Sequence, residues 1–179
     1  MAEAFINQVN RAVGIVTSSS NASIGIGLTW MSGISTAHVA IHDIVDNANF
    51  IAGTKVTFVG VSSVQLDRAS TNTVAATASN VSFLGPTTSY SSASATKSIL
   101  IGGTFANNTA NSVNLTVTVY DNTAAVESQL ASKIPVPTGS SFVISDAGKT
   151  VLEGDDELRV YCDVENAIDV NLSILKGVS

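Results

Sequence analysis

Charge is scarce in this sequence. Only 12% of the 179 residues are Asp, Glu, Lys or Arg, about half the usual share, and the eight Lys and Arg form no cluster. Binding a phosphate backbone takes several cations held together, so nucleic acid is not expected as a partner. No apolar run approaches the ~20 residues that a membrane helix needs, so no membrane partner is expected. There is one cysteine, Cys162, and therefore no internal disulfide. Together with an N-terminus that lacks a cationic start followed by an apolar core, this points to synthesis in a reducing cytoplasm. Histidine is limited to two residues and proline to three, and aromatics make up 6%.

Ser, Thr and Asn fill the gap, at roughly a third of the chain. A surface that is polar but nearly uncharged costs little to desolvate. It suits broad protein contacts better than electrostatic steering.

Period-two alternation of apolar and polar residues dominates from about residue 23 and predicts an all-β fold. Strands are expected at 39–45, 54–60, 63–67 and 80–85. The second half alternates more regularly, with seven strands expected at 97–105, 112–121, 128–136, 140–146, 150–153, 156–164 and 167–176. That spacing predicts an antiparallel β-sandwich or jelly roll. Pro135 and Pro137 cannot donate to a ladder, so their segment belongs at an edge or a strand end. One stretch reads as a helix: Phe5, Val9 and Val13 recur at helical spacing, and Gly14 follows as a stop. Between the halves, Gly85–Ser98 is small and polar and reads as a linker. The expected organisation is an N-terminal arm or helix over 1–22, a small β module over 23–84, a linker over 85–96 and a sandwich over 97–179. A short helix does not stand alone. Phe5, Val9 and Val13 are therefore the expected assembly contact, made with another copy or another protein.

Three clusters could carry chemistry. Glu153, Asp155, Asp156 and Glu157 surround Gly154, but a Ca²⁺ loop needs six to eight oxygen ligands at set positions and this spacing supplies no such set. A turn is the simpler reading. His38 and His42 would share one face of a strand, with no third ligand to complete a zinc site. Cys162 falls in phase with Leu158 and Val160, which makes it a small core residue. No catalytic, cofactor or metal residues are expected, and the chain is read as a non-enzyme.

The stretches "ILIGGTFANNTANSVNLTVTVYD", "KIPVPTGSSFVI" and "TVLEGDDELRVYCDVENAIDVNLSIL" resemble a β-sandwich that recurs in virion proteins of tailed bacteriophages, especially those of marine cyanobacteria. The resemblance covers about residues 97–176. The segment "IVDNANFIAGTKVTFVGVSSVQLDRAST" is similar, more loosely, to a small β module of phage and bacterial surface proteins. The resemblance implies a non-enzymatic virion component, foremost a capsid decoration or cement protein. A neck or tail component and a receptor-binding fibre or adhesin module are the alternatives. The implied partners are other virion proteins, such as the major capsid protein or neck and tail proteins. A homo-oligomer is implied too, a trimer by analogy with phage decoration proteins.

Overall fold

The computed structural model describes residues 3–19, 21–74, 80–145 and 149–178. Among them there are only strands, turns and irregular segments. The strands in chain order are β1 (Ala4–Val13), β2 (Ile15–Ser19), β3 (Trp30–Ser32), β4 (Ile44–Asp46), β5 (Val56–Val59), β6 (Ser63–Leu66) and β7 (Val81–Gly85). They continue with β8 (Thr87–Ser91), β9 (Lys97–Asn107), β10 (Val113–Asp121), β11 (Val126–Val136) and β12 (Ser141–Ile144), then β13 (Thr150–Leu152), β14 (Glu157–Cys162) and β15 (Ile168–Val178).

The chain forms two compact units. One comprises Met1–Gly14 with Thr87–Ser179, and the other is Ile15–Pro86, inserted between β1 and β8. The expected boundaries, 23–84 and 97–179, therefore differ at both ends. The expected arm over 1–22 is divided between the units, and the expected linker over 85–96 contains β8. Its small polar residues suit close packing: Ser89 and Ser92 are buried, and Ser98 Oγ lies 2.7 Å from Tyr90 Oη and 3.0 Å from Ser92 Oγ.

The larger unit is an antiparallel sandwich. One sheet runs β1-β15-β9-β12, with β13 beside β12 on the same flank of β9, and the other runs β11-β10-β14-β8. Leu100, Phe105, Leu172 and Ile174 from the first sheet share one core with Leu115, Val117, Leu158 and Val160 from the second. All seven strands expected in the second half are present. Pro135 lies in β11, an edge strand, as its missing donor requires.

The expected helix is a strand. β1 pairs antiparallel with β15 from Ala4↔Lys176 to Val13↔Ile168. A spacing of four is even, so Phe5 and Val9 share a face in a strand as they would on a helix. Flanking β15, with its buried row of Val170, Leu172 and Ile174, supplies the partner that an isolated helix would lack. Val13 does not share the outward face. The register shifts between Asn10 and Val13, where Ala12 takes φ 55° and its N–H donates to Asp169 Oδ1 at 2.9 Å. This bulge inverts the parity and turns Val13 into the core at 2% exposure. Gly14 then leads the chain out at φ +136°, where a Cβ would meet Val164 O at 2.2 Å. No other residue fits this crossing.

In the inserted unit two three-stranded sheets, β2-β7-β4 and β3-β6-β5, enclose a second core that includes Met31, Val45, Phe50, Val64 and Phe83. The strands expected at 54–60, 63–67 and 80–85 are β5, β6 and β7. Of the strand expected at 39–45, only β4 from Ile44 forms. His38 and His42 sit in successive turns at φ 66° and 78°, both exposed, and not on one strand face. Asp43 drives this local fold: its buried carboxylate accepts from Ala40 N–H at 2.9 Å. Burial holds Asp43 above the usual carboxylate range, although that hydrogen bond and His42 oppose the shift.

Candidate functional site

The outer face of the five-stranded sheet carries an apolar row that crosses four strands. Phe5 pairs with Leu175, Leu175 with Ile99, and Ile99 with Val151. Phe5 is 78% exposed and Val151 52%, while Leu175 and Ile99 are half-buried. A second row runs Val9, Asn171, Thr104, Val143, with both valines exposed. Asn7 and Ser173 lie between the two rows, so this part of the face is apolar or neutral. Single exposed apolar residues are ordinary, whereas a row in register across a sheet is a candidate contact surface.

Of the expected assembly contact, Phe5 and Val9 lie on this face and Val13 does not. Ile99, Val151 and Leu175 were not anticipated. Their signal is consecutive apolar residues inside alternating strands: Ile99-Leu100, Val151-Leu152 and Ile174-Leu175. In each pair one member fills the core and the other is turned outward.

The outer face of the four-stranded sheet holds a polar network that sequence reasoning did not assemble. The Glu127 side chain is 5% exposed. Its carboxylate accepts from Thr118 Oγ1, from Tyr161 Oη at 2.8 Å and from Arg159 Nη1 at 3.4 Å. Arg159 Nε donates to Glu157 Oε2 at 2.7 Å, and Thr88 Oγ1 donates to the same oxygen at 3.0 Å. The Arg159 guanidinium stacks 3.9 Å above the Tyr120 ring. Burial, reinforced by Glu127, raises the Tyr161 hydroxyl above its usual pKa. Every charge here has an opposite partner, and the network ties β8, β10, β11 and β14 together.

The acidic segment is a turn, and it joins two sheets rather than two strands of one hairpin. β13 pairs with β9, while β14 pairs with β10 and β8. Asp156 is buried and organises the turn: its carboxylate accepts from Glu153 N–H at 2.9 Å and from Asn122 N–H at 3.1 Å. Asp155 takes φ 68°, and Glu153 pairs with Lys97 at 2.9 Å. Among the described residues no group of three or more His, Cys, Asp or Glu is placed to hold a metal ion. Among the described residues no helix is long and apolar enough to cross a membrane.

Cys162 lies opposite Leu115 in the sandwich core, fully buried, and desolvation pushes its thiol up to about 11. A thiol reagent at pH 8 is therefore expected to label Cys162 only after denaturation. Stoichiometric labelling of the native protein within minutes would contradict this placement.

The inserted unit presents one exposed aromatic pair. Trp30 on β3 and Phe58 on β5 both lie opposite Gln65 of β6, with ring centroids 5.8 Å apart and planes tilted by 59°. About half of each side chain is exposed.

No family model matches this sequence, and no curated protein matches it. Among solved structures, the isomalto-dextranase of Arthrobacter globiformis T6, complexed with panose, aligns over 97% of this chain at 12% identity with a TM-score of 0.22. The chain spans about a third (34%) of that enzyme's length. A likeness that slight bears on neither the fold nor the function of this chain.

Proposed function

We propose that this chain is a non-enzymatic structural protein of a tailed-phage virion, a capsid decoration or cement protein that works by burying surface against the major capsid protein. The observation that supports the reading is the Phe5–Leu175–Ile99–Val151 row. Covering such a row releases about 1.5–3 kcal/mol per large side chain taken from water. The neutral Asn7, Ser173, Asn171 and Thr104 around it add little desolvation cost. A neck or tail position uses the same surface and differs only in the protein that covers it.

Electron microscopy of gold-labelled particles tests the reading. Label on the capsid shell supports decoration, and label confined to the neck or tail supports the alternative. Particles without the protein overturn both. In particles that carry it, Phe5→Asp and Val151→Asp are expected to lower occupancy while the isolated protein stays folded, because both side chains point to solvent. Full occupancy of both variants would remove the row from the contact.

A receptor-binding module is the second reading, and the Trp30–Gln65–Phe58 arrangement favours it. Two half-exposed rings beside an amide can stack on, and hydrogen-bond to, a sugar. On this reading Trp30→Ala reduces adsorption of the particles to their host and leaves occupancy intact.

A further inference from the structure

β1 is an edge strand. It pairs with β15 on one side, and no described strand pairs with it on the other. Exposed edges are usually blunted by charges or bulges that prevent further pairing. Here the bulge lies at the far end, between Asn10 and Val13, and leaves the edge regular from Ala4 to Asn10. The outward residues of this stretch are Phe5, Asn7 and Val9, alternating with the half-buried Ala4, Ile6, Gln8 and Asn10, and they are flanked by exposed Glu3, just before β1, and exposed Arg11, at the first position of the bulge.

That outward series is complementary to its own reverse. With an antiparallel copy centred on Asn7, Glu3 meets Arg11, Phe5 meets Val9 and Asn7 meets itself. Opposite charges lie at both ends, with two apolar pairs and one amide pair between them. Among the described residues neither Glu3 nor Arg11 makes an ion pair within the chain, and an antiparallel shift by two residues sets Glu3 against Val9 and Phe5 against Asn7. A parallel copy in register sets Glu3 on Glu3 and Arg11 on Arg11.

We infer that β1 is the seam of a two-fold homodimer, in which the β1 strands of two copies pair antiparallel about Asn7 and join their five-stranded sheets. Closed two-fold contacts of this kind are isologous, so each favourable pair occurs twice. In the joined sheet the Phe5–Leu175–Ile99–Val151 row of one copy continues onto Val9 of the other. The inference does not rest on the virion reading. It yields a dimer, where analogy with phage decoration proteins implies a trimer.

The purified full-length protein tests it by sedimentation, with circular dichroism as the check on folding. The wild type is expected to be a dimer at micromolar concentration. Glu3→Lys opposes two cations at each end of the seam, and Arg11→Glu opposes two anions. Each change is expected to weaken the dimer about tenfold, since opposed like charges are unfavourable and each occurs twice. The double variant Glu3→Lys/Arg11→Glu restores the pairing and is expected to return the dimer to wild-type strength. Asn7→Cys is expected to form a disulfide-linked dimer on mild oxidation, because Asn7 meets itself at the axis, while Asn171→Cys, one strand inward, is not. A wild type that stays monomeric at 100-fold higher concentration overturns the inference. So does a dimer that ignores both charge reversals, or one in which Asn7→Cys fails to cross-link.

Discussion

Deleting Ala4–Val13 is expected to remove most of the stability of the sandwich. Were this segment a peripheral helix, its loss would leave the β structure intact. As β1 it contributes the full ladder against β15, the buried Val13 and the side chain of Ile6 packed on the core. Losing the buried Val13 costs about 1.5–3 kcal/mol, and the half-buried Ile6 adds a smaller share. The deletion also bares the edge of β15 and one flank of Leu172 and Ile174. The sum is several kcal/mol out of the ~5–15 kcal/mol typical of a domain. A fall in melting temperature of more than about 10 °C follows for the sandwich. The Ile15–Pro86 unit keeps its own core and its own transition. Urea unfolding followed by tyrosine and tryptophan fluorescence separates the two, because Trp30 lies in the inserted unit and all three tyrosines lie in the sandwich. An unchanged sandwich midpoint would show that β1 is dispensable.

Replacing Glu127 with Ala is expected to cost about 2–4 kcal/mol, from roughly 1–3 kcal/mol for each buried hydroxyl that loses this acceptor. The change strips acceptors from Thr118, Tyr161 and Arg159 at once. Arg159 retains Glu157, so the loss falls mainly on the two hydroxyls and on the packing beneath the Arg159–Tyr120 stack. Tyr161→Phe removes one hydrogen bond and is expected to cost about 1 kcal/mol. Alkaline titration gives an independent reading of the same cluster. The Tyr161 hydroxyl is raised in the folded protein above its ordinary value of 10.0, by burial first and by Glu127 second. The unfolded chain therefore releases this proton earlier, and stability falls as pH rises above about 10. Tyr161→Phe should flatten that alkaline decline in denaturant midpoints. A decline of the same slope in the variant would assign it to other groups.

The sandwich was readable because its strands alternate apolar and polar residues. Val113, Leu115, Val117 and Val119 alternate without interruption, and the same regularity placed Cys162 in the core beside Leu158 and Val160. Local pattern failed where tertiary partners or turn chemistry decide. The even spacing of Phe5 and Val9 fits helix and strand equally, and only the partner β15 resolves it. At 39–43 the alternation looked strand-like, but the buried Asp43 carboxylate closes a turn onto Ala40. At 85–96 the scarcity of large side chains looked like a linker, yet β8 is a strand that pairs with β14, buries Ser89 and packs Tyr90 against the core. The apolar outer row was visible only as doubled apolar residues in alternating strands. The Glu127–Arg159–Tyr161 cluster had no sequence signal, because Glu127 on β11 lies 32 residues before Arg159 and reaches Arg159 and Tyr161 of β14 only in the folded sheet.

The pairing of β1 with β15 also orders events in time. Ala4 and its partner Lys176 are separated by almost the whole described chain, so Ala4 leaves the ribosome well before the residue it pairs with. At ~5–20 residues per second the first strand waits on the order of ten to thirty seconds for the strand it pairs with. The Ile15–Pro86 unit needs no residue beyond 86 for its own core and can fold during that interval. Closure of the sandwich waits until β15 has emerged, as a long-range step of the slow kind typical of β topologies.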